Sequence, residues 1–305
     1  MASRLEPFRA EIVLALAGGK ESQRQVAKRF GVARSTLQTF LRATPEPVID
    51  TESLVAGEGV KILALDIETR PNLAYVWGIW QQNIGLNQLV ESVDVICWVA
   101  KWVGEPAIEF RSVYHDGKDT MIRRAWELLD EADMVLHYNG RKFDVPHLNR
   151  EFVQHGLTPP SPYKQIDLLT TAKREFKFPS NKLAYVSEAL GLGGKVQHEG
   201  FTLWTKCMAN DPTAWEHMRQ YNIRDVILLE ELYEKLRPWV RSHPNSAAVV
   251  GDDVCPACAG ENLQPRGYTT LVSGRYQRYQ CRDCGKWSRS TERIDKVSVV
   301  GTPIT

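Results

Sequence analysis

What the chain has little of narrows its class first. Nowhere among its 305 residues is there an uninterrupted run of the roughly 20 apolar residues a membrane-crossing helix needs. The longest apolar runs, such as Val93 to Val103, are broken by Asp94 and Lys101. The opening MASRLEPFRAEIVLALAGGK carries an apolar patch, but Glu6 and Glu11 fall within it and no convincing cleavage site follows. A secretory signal is therefore not expected, and the expected location is cytoplasmic. Internal repeats and long low-complexity tracts are absent, which speaks against a repetitive or disordered chain. Net charge is small, formally +1.

What is there has the composition of a globular protein long enough for two domains or more. The small net charge hides an uneven distribution. Residues 1–44 carry +5 and residues 254–290 carry +4, while residues 61–240 carry −3. Basic ends flanking a carboxylate-rich middle suit nucleic-acid-binding appendages on a metal-dependent core, because phosphate neutralisation supplies most non-specific affinity.

Near the start, RLEPFRAEIVLALAGG has apolar residues at helical spacing and ends on a glycine pair. Next, SQRQVAKRFGVARSTLQTFLRA places Val26, Ala27, Phe30, Val32, Leu37 and Phe40 as apolar positions in two short helical patterns with Gly31 at the turn. It resembles the helix-turn-helix of transposases, invertases and small repressors. The second helix, starting near Ala33 or Arg34, presents Arg34, Ser35, Gln38, Thr39 and Arg42, which suit phosphate and base-edge contacts. A proline- and acid-rich stretch, 45–59, reads as a linker.

The stretch KILALDIETRP reads as a buried strand interrupted by Asp66 and Glu68, whose i, i+2 spacing aims both carboxylates to one face. Like charges there cost several kcal/mol unless a cation or a proton compensates them. After it, the aromatic YVWGIWQQN is a loop or strand. VDVICWVAKWVG and AIEFRSVYH form a hairpin turning at Gly104 to Pro106, and Asp119 to Glu131 a helix. MVLHYNG is a strand, Phe143 to His155 a helix, QIDLL a short strand, and NKLAYVSEALG, PTAWEHMRQY and NIRDVILLEELYEKL are helical. That order is mixed α/β.

Three motifs follow one another: DIE at Asp66 to Glu68, NGRKFD at Asn139 to Asp144, and YNIRD at Tyr221 to Asp225. In a helix Tyr221 and Asp225 share a face. Together the motifs, over roughly residues 60 to 240, resemble the DEDD superfamily of 3′ to 5′ exonucleases, in the tyrosine-bearing (DEDDy) subclass that includes proofreading domains of DNA polymerases. The resemblance implies an RNase H-like mixed sheet with flanking helices and a two-metal-ion site, two Mg²⁺ or Mn²⁺ held by Asp66, Glu68, Asp144 and Asp225. It implies that Tyr221 positions the attacking water; the histidine subclass would need His where this chain has Gln220. His217, one turn back, is expected to be structural. Asn139 and Phe143 are expected to shape the substrate cleft and Thr69 to face the terminal nucleotide, and Asp167 is not expected to be a ligand. Tyr75, Trp77 and Trp80 suit stacking on unpaired bases, although core packing is the stronger expectation.

The six cysteines include two CxxC pairs, Cys255/Cys258 and Cys281/Cys284, spaced as in a zinc ribbon with one structural Zn²⁺. Cys97 and Cys207 are expected in the core. Arg275 and Arg278, among tyrosines, suit nucleic acid.

The expected organisation is a helix-turn-helix domain (1–44), a linker (45–59), an RNase H-like exonuclease domain (60–240), a linker (241–253), a zinc ribbon (254–290) and a tail (291–305). The expected function is metal-dependent 3′ to 5′ exonuclease action on nucleic acid, DNA favoured and RNA possible, with no membrane and with a replication or repair protein as a possible partner. The alternatives are a transposase, recombinase or structure-specific nuclease, and a non-catalytic sequence-specific regulator.

Overall fold

The computed structural model describes residues 5, 23–43, 59–194, 199–251 and 253–296. It divides into two units, Met1–Gly57 and Glu58–Thr305. In the first, α1 (Gln23–Arg29) and α2 (Arg34–Ala43) are joined by a turn in which Gly31 takes φ +61°. Val26, Ala27, Leu37, Phe40 and Leu5 are buried together, with Phe30 and Val32 packed against them. Apart from Leu5, the helix expected before Lys20 lies outside the described residues, as do residues 45–58 of the expected linker.

In the second unit, β1 (Ile62–Arg70) is the middle strand of a five-stranded sheet. β4 (Asp94–Trp102) and β5 (Ile108–Ser112) add antiparallel on one side. β6 (Met134–His137) and β7 (Lys164–Asp167) add parallel on the other. A short hairpin of β2 (Leu73–Ala74) and β3 (Leu89–Glu91) stands between β1 and β4. Alternation along β1 divides two cores. Leu63, Leu65 and Ile67 pack with Met121, Leu129, Leu148 and Phe152 of α3 (Lys118–Glu131) and α4 (Asp144–Gln154). Ile62 and Ala64 pack with Val226, Leu229, Leu232 and Tyr233 of α8 (Pro212–Leu236). Each fully buried side chain of this size contributes about 1.5–3 kcal/mol, so helices cover both faces of the sheet. This is the mixed α/β architecture expected from the strand and helix order, and the RNase H-like sheet with flanking helices that the motif resemblance implies.

Several local expectations need correction. QIDLL is not all strand: β7 stops at Asp167, whose carboxylate accepts the N–H groups of Leu169 (3.0 Å) and Thr170 (3.4 Å) and so starts α5 (Leu168–Glu175). After α6 (Leu183–Ala189) comes an unanticipated helix, α7 (Phe201–Met208). α8 is one helix of 25 residues rather than two, started by Asp211, which caps Thr213 and Ala214, with Pro212 at its first position. Nothing between Tyr221 and Asn222 breaks it. Tyr75, Trp77 and Trp80 are not core residues; they stand 79%, 101% and 83% exposed.

Stretch 241–253 contains α9 (Ala247–Val250) and the buried Ser246, whose N–H donates to Pro256 O (2.9 Å). Beyond it β8 (Leu263–Leu271), β9 (Gly274–Cys281) and β10 (Trp287–Lys296) form an antiparallel three-stranded sheet that runs past residue 290. Lys286 Nζ donates to Pro238 O (3.3 Å) and Val240 O (2.6 Å), tying this sheet to the end of α8.

Candidate active site and metal centre

The even-numbered face of β1 is apolar at Ile62 and Ala64 and becomes acidic at Asp66 and Glu68. On α8 the facing stripe changes in the same sense: Leu229, Val226, then Asp225, Asn222 and Tyr221, all buried. A strand and a helix thus switch from apolar to polar at the same end of the sheet. Burial raises the Tyr221 hydroxyl far above its ordinary range, and the charges of Asp225, Glu68 and Asp66 raise it further. Those three carboxylates therefore all bear on one phenol, although among the described residues it is the four cysteines, and not the carboxylates, that already stand gathered as an ion needs. Cys97, paired with Glu68 across the β1–β4 ladder, is likewise held protonated by burial and then by Glu68 and Asp66.

Asp144 reaches the strand from the other side. It opens α4 and accepts the N–H of Ile67 (3.1 Å), between the two acidic residues of β1. Burial pushes its carboxyl up to about 7, opposed by that N–H. The turn before it is built for close approach. Asn139 takes φ +74° and its carbonyl accepts the N–H groups of Lys142 and Phe143. A Cβ on Gly140 would lie 2.5 Å from His137 Cγ and 3.0 Å from Asp144 Oδ2. Glycine is thus required for Asp144 to sit where it does. Asp167 is absorbed structurally, also accepting the Asn139 N–H (3.1 Å).

Sequence reasoning missed Asn222. Fully buried, it donates from Nδ2 to Asp66 Oδ2 (2.6 Å), and Cys97 Sγ stands 4.0 Å from its Oδ1. Its only signal was an amide in an otherwise apolar helical stripe. Trp204 on α7 was also missed; its ring meets Tyr221 edge-on at 6.2 Å. Thr69 follows a bulge in β1 and lines an apolar cleft of about 460 Å³ with Pro71, Phe201 and Trp204. Phe143 is partly exposed at the start of α4 against His147. Four hard oxygen donors with two of them buried suit Mg²⁺ or Mn²⁺, and a divalent cation offsets the carboxylate repulsion and desolvation seen here.

The cysteines form a second, separate set. All four sulfurs lie within 4.8 Å of one another, with Cys255 to Cys284 at 3.6 Å and Cys258 to Cys281 at 3.7 Å. Tetrahedral Zn–S bonds of about 2.3 Å place sulfurs about 3.8 Å apart. The Cys284 thiol, against the effect of burial and with help from the Ala257 N–H, holds Cys255 down to about 5. The donor set and its spacing fit one closed tetrahedral site.

The surface candidates are distributed differently. Arg34 and Ser35 are exposed at the start of α2, Gln38 falls at its middle and Arg42 near its end; the side chains of the latter two are outside the described residues. Arg275 and Arg278 sit on opposite faces of β9. Arg275 lies over Tyr268 (4.9 Å) and pairs with Asp295 (2.9 Å), whereas Arg278 lies over Trp287 (4.8 Å) and is registered beside Arg289.

The family model RNase_H_2, described as RNase_H superfamily, matches residues 63–237. No curated protein matches the sequence. Among solved structures, the family B DNA polymerase from the hyperthermophilic archaeon Pyrobaculum calidifontis is similar at 15% identity and a TM-score of 0.46; the alignment covers 71% of this chain and 32% of that one.

Proposed function

We propose that this chain, which belongs to the RNase H superfamily, is a metal-dependent 3′ to 5′ exonuclease of the DEDDy kind, with DNA the favoured substrate. The observation that carries the reading is that Asp66, Glu68 and Asp225 all bear on Tyr221, with Asp144 bonded to the backbone of the same strand. Asp66, Glu68, Asp144 and Asp225 would hold two Mg²⁺ or Mn²⁺ ions. When bound, the ions supply an activated water, charge neutralisation at the phosphate and relief of the leaving oxyanion.

The chain's own groups do the positioning. Tyr221, kept protonated by burial and three carboxylates, orients an attacking water by a hydrogen bond and does not deprotonate it. Asn222 fixes the plane of the Asp66 carboxylate, and the Ile67 N–H fixes that of Asp144. Thr69 and Phe143 border the space where a terminal nucleotide sits. Arg34, Ser35, Gln38 and Arg42 on the helix-turn-helix, and Arg275 and Arg278 on a zinc ribbon held by Cys255, Cys258, Cys281 and Cys284, bring the core to its polymer.

The test is degradation of 5′-labelled single- and double-stranded DNA and RNA, with free or blocked 3′ ends, in Mg²⁺. The expected result is a ladder of shortened products from free 3′ ends with the native chain and none with Asp66→Ala. Equal degradation by both proteins sinks the nuclease assignment. Equal degradation of 3′-blocked strands sinks the direction.

A further inference from the structure

The loop between β2 and β3 exposes its rings. Two amides at its base, Asn72 and Gln88, hold the backbone, while Gln81, Gln82, Asn83 and Asn87 stand exposed beside the rings. Asn72 accepts the Val93 N–H (2.6 Å), and Gln88 accepts the Gly85 N–H (2.8 Å) while donating to Tyr75 O (3.0 Å). The Tyr75 N–H donates to Gln88 O (3.0 Å), and an Arg70–Glu91 ion pair closes the base. Tyr75, Trp77, Ile79, Trp80 and Leu86 are left facing solvent, Trp77 completely. A loop whose backbone is held by its own hydrogen bonds and ion pair while several large rings face solvent is a binding surface rather than a packing fault.

We propose that this loop is a stacking platform for the unpaired bases of a single nucleic-acid strand, an inference that rests on the nucleic-acid reading of the site. Two observations select that occupant. Between Pro71 and Ser92 the only charged residue is Glu91, already paired with Arg70. The loop thus offers no cation to a phosphate and no charge to a charged protein face, but its uncharged rings match the uncharged faces of bases. The loop is also continuous with the site. Its base, Thr69 to Asn72, lines the apolar cleft with Phe201 and Trp204, and Trp204 touches Tyr221. A path of apolar and aromatic surface therefore leads from the proposed reacting centre to the loop. Within a duplex each internal base pair is stacked on its neighbours and only the terminal pairs keep a free face, so the platform favours unpaired strands.

The test uses the full zinc-loaded chain, its Trp77→Ala/Trp80→Ala variant and Trp77→Tyr/Trp80→Tyr, which keeps the rings. Each is titrated without Mg²⁺ against labelled oligo(dT), oligo(rU) and a blunt duplex. Salt is set at about 50 and about 200 mM, a range over which phosphate contacts weaken strongly. The alanine variant is expected to bind single strands about tenfold or more weakly, by the same factor at both salt concentrations. Duplex affinity should be unchanged, and the tyrosine variant should restore single-strand binding. Single-strand affinity unaltered by alanine, or no single-strand binding by the native chain, overturns the platform and assigns the loop to an apolar protein surface. Cleavage of the same strands by the native chain in Mg²⁺ reports on the nuclease reading separately: binding without cleavage sinks that reading and leaves the platform standing.

Discussion

The carboxylate set and the cysteine set are both suited to metal, yet the chain assembles them in opposite ways. The carboxylates come from distant segments, joined by hydrogen bonds that span 77 and 156 positions, and they rest on two large apolar cores. The cysteines lie within 29 positions of one another, and the only buried cluster among them is Cys255, Ala257 and Cys281 with a few partly buried neighbours. In the first case the fold comes before the ion and pays for the crowding of like charges. In the second, little apolar surface is buried, and on the proposed zinc reading the ion would supply the missing core. Removing ligands should therefore abolish chemistry in one place and structure in the other.

The largest effect should come from the ribbon. Cys281→Ser or removal of zinc should unfold β8 to β10, a loss on the order of 10 kcal/mol for that segment, with the main thermal transition of the core retained. Zinc content and hydrogen exchange read this, and loss of exchange protection throughout β1 and α8 would erase the distinction. Next, Asp66→Ala should lower hydrolysis on the order of 10³-fold or more, equivalent to about 4 kcal/mol. The fold should be retained, since the loss of a repelling charge is set against the Asn222 amide left without its acceptor.

Asn222→Ala sharpens the comparison by leaving every carboxylate in place. Activity should fall about 10- to 100-fold and the Mg²⁺ concentration for half-maximal rate should rise, as expected when a group that orients a ligand is lost. An unchanged Mg²⁺ requirement would reduce Asn222 to a packing residue.

The smallest effect tests the scaffold alone. Burial would raise Glu151, but a proton held on neighbouring Asp94 and the cations of Arg150 and Lys118 hold it down to about 2. Its folded pKa is depressed, so its stabilisation is complete above the ordinary carboxylate value and is lost as pH falls toward 2. Burial raises Asp94, whose contribution runs in the opposite sense, present at low pH and lost as pH rises. Glu151→Gln should flatten the acid limb of a denaturation profile by about 1 kcal/mol between roughly pH 5 and 3. An unchanged acid limb would contradict that assignment.

How much of this the sequence shows depends on whether a residue's role is local. The run ILALDIE is readable because burial on both sides of a strand leaves a continuous apolar pattern in which two acids stand out. The CxxC pairs are readable because the ligand spacing is itself local. Asn222 was not, since its partner lies 156 positions away and an amide beside Tyr221 looks like any helical position. Gly140 was hidden likewise, its necessity arising only from how near His137 and Asp144 approach. The aromatics of 75–80 misled because ring-rich sequence ordinarily packs inward, whereas here Asn72 and Gln88 satisfy the loop and leave the rings outside.

Divalent-ion binding to the zinc-loaded chain tests the central claim most directly, since it asks whether the fold itself holds a site in waiting. Titration with Mn²⁺, followed by calorimetry or by the signal of the free ion, should show two ions bound per native chain. Asp66→Ala should lose both while its circular dichroism stays native. No Mn²⁺ binding by the native chain, or equal binding by the variant, would contradict the account.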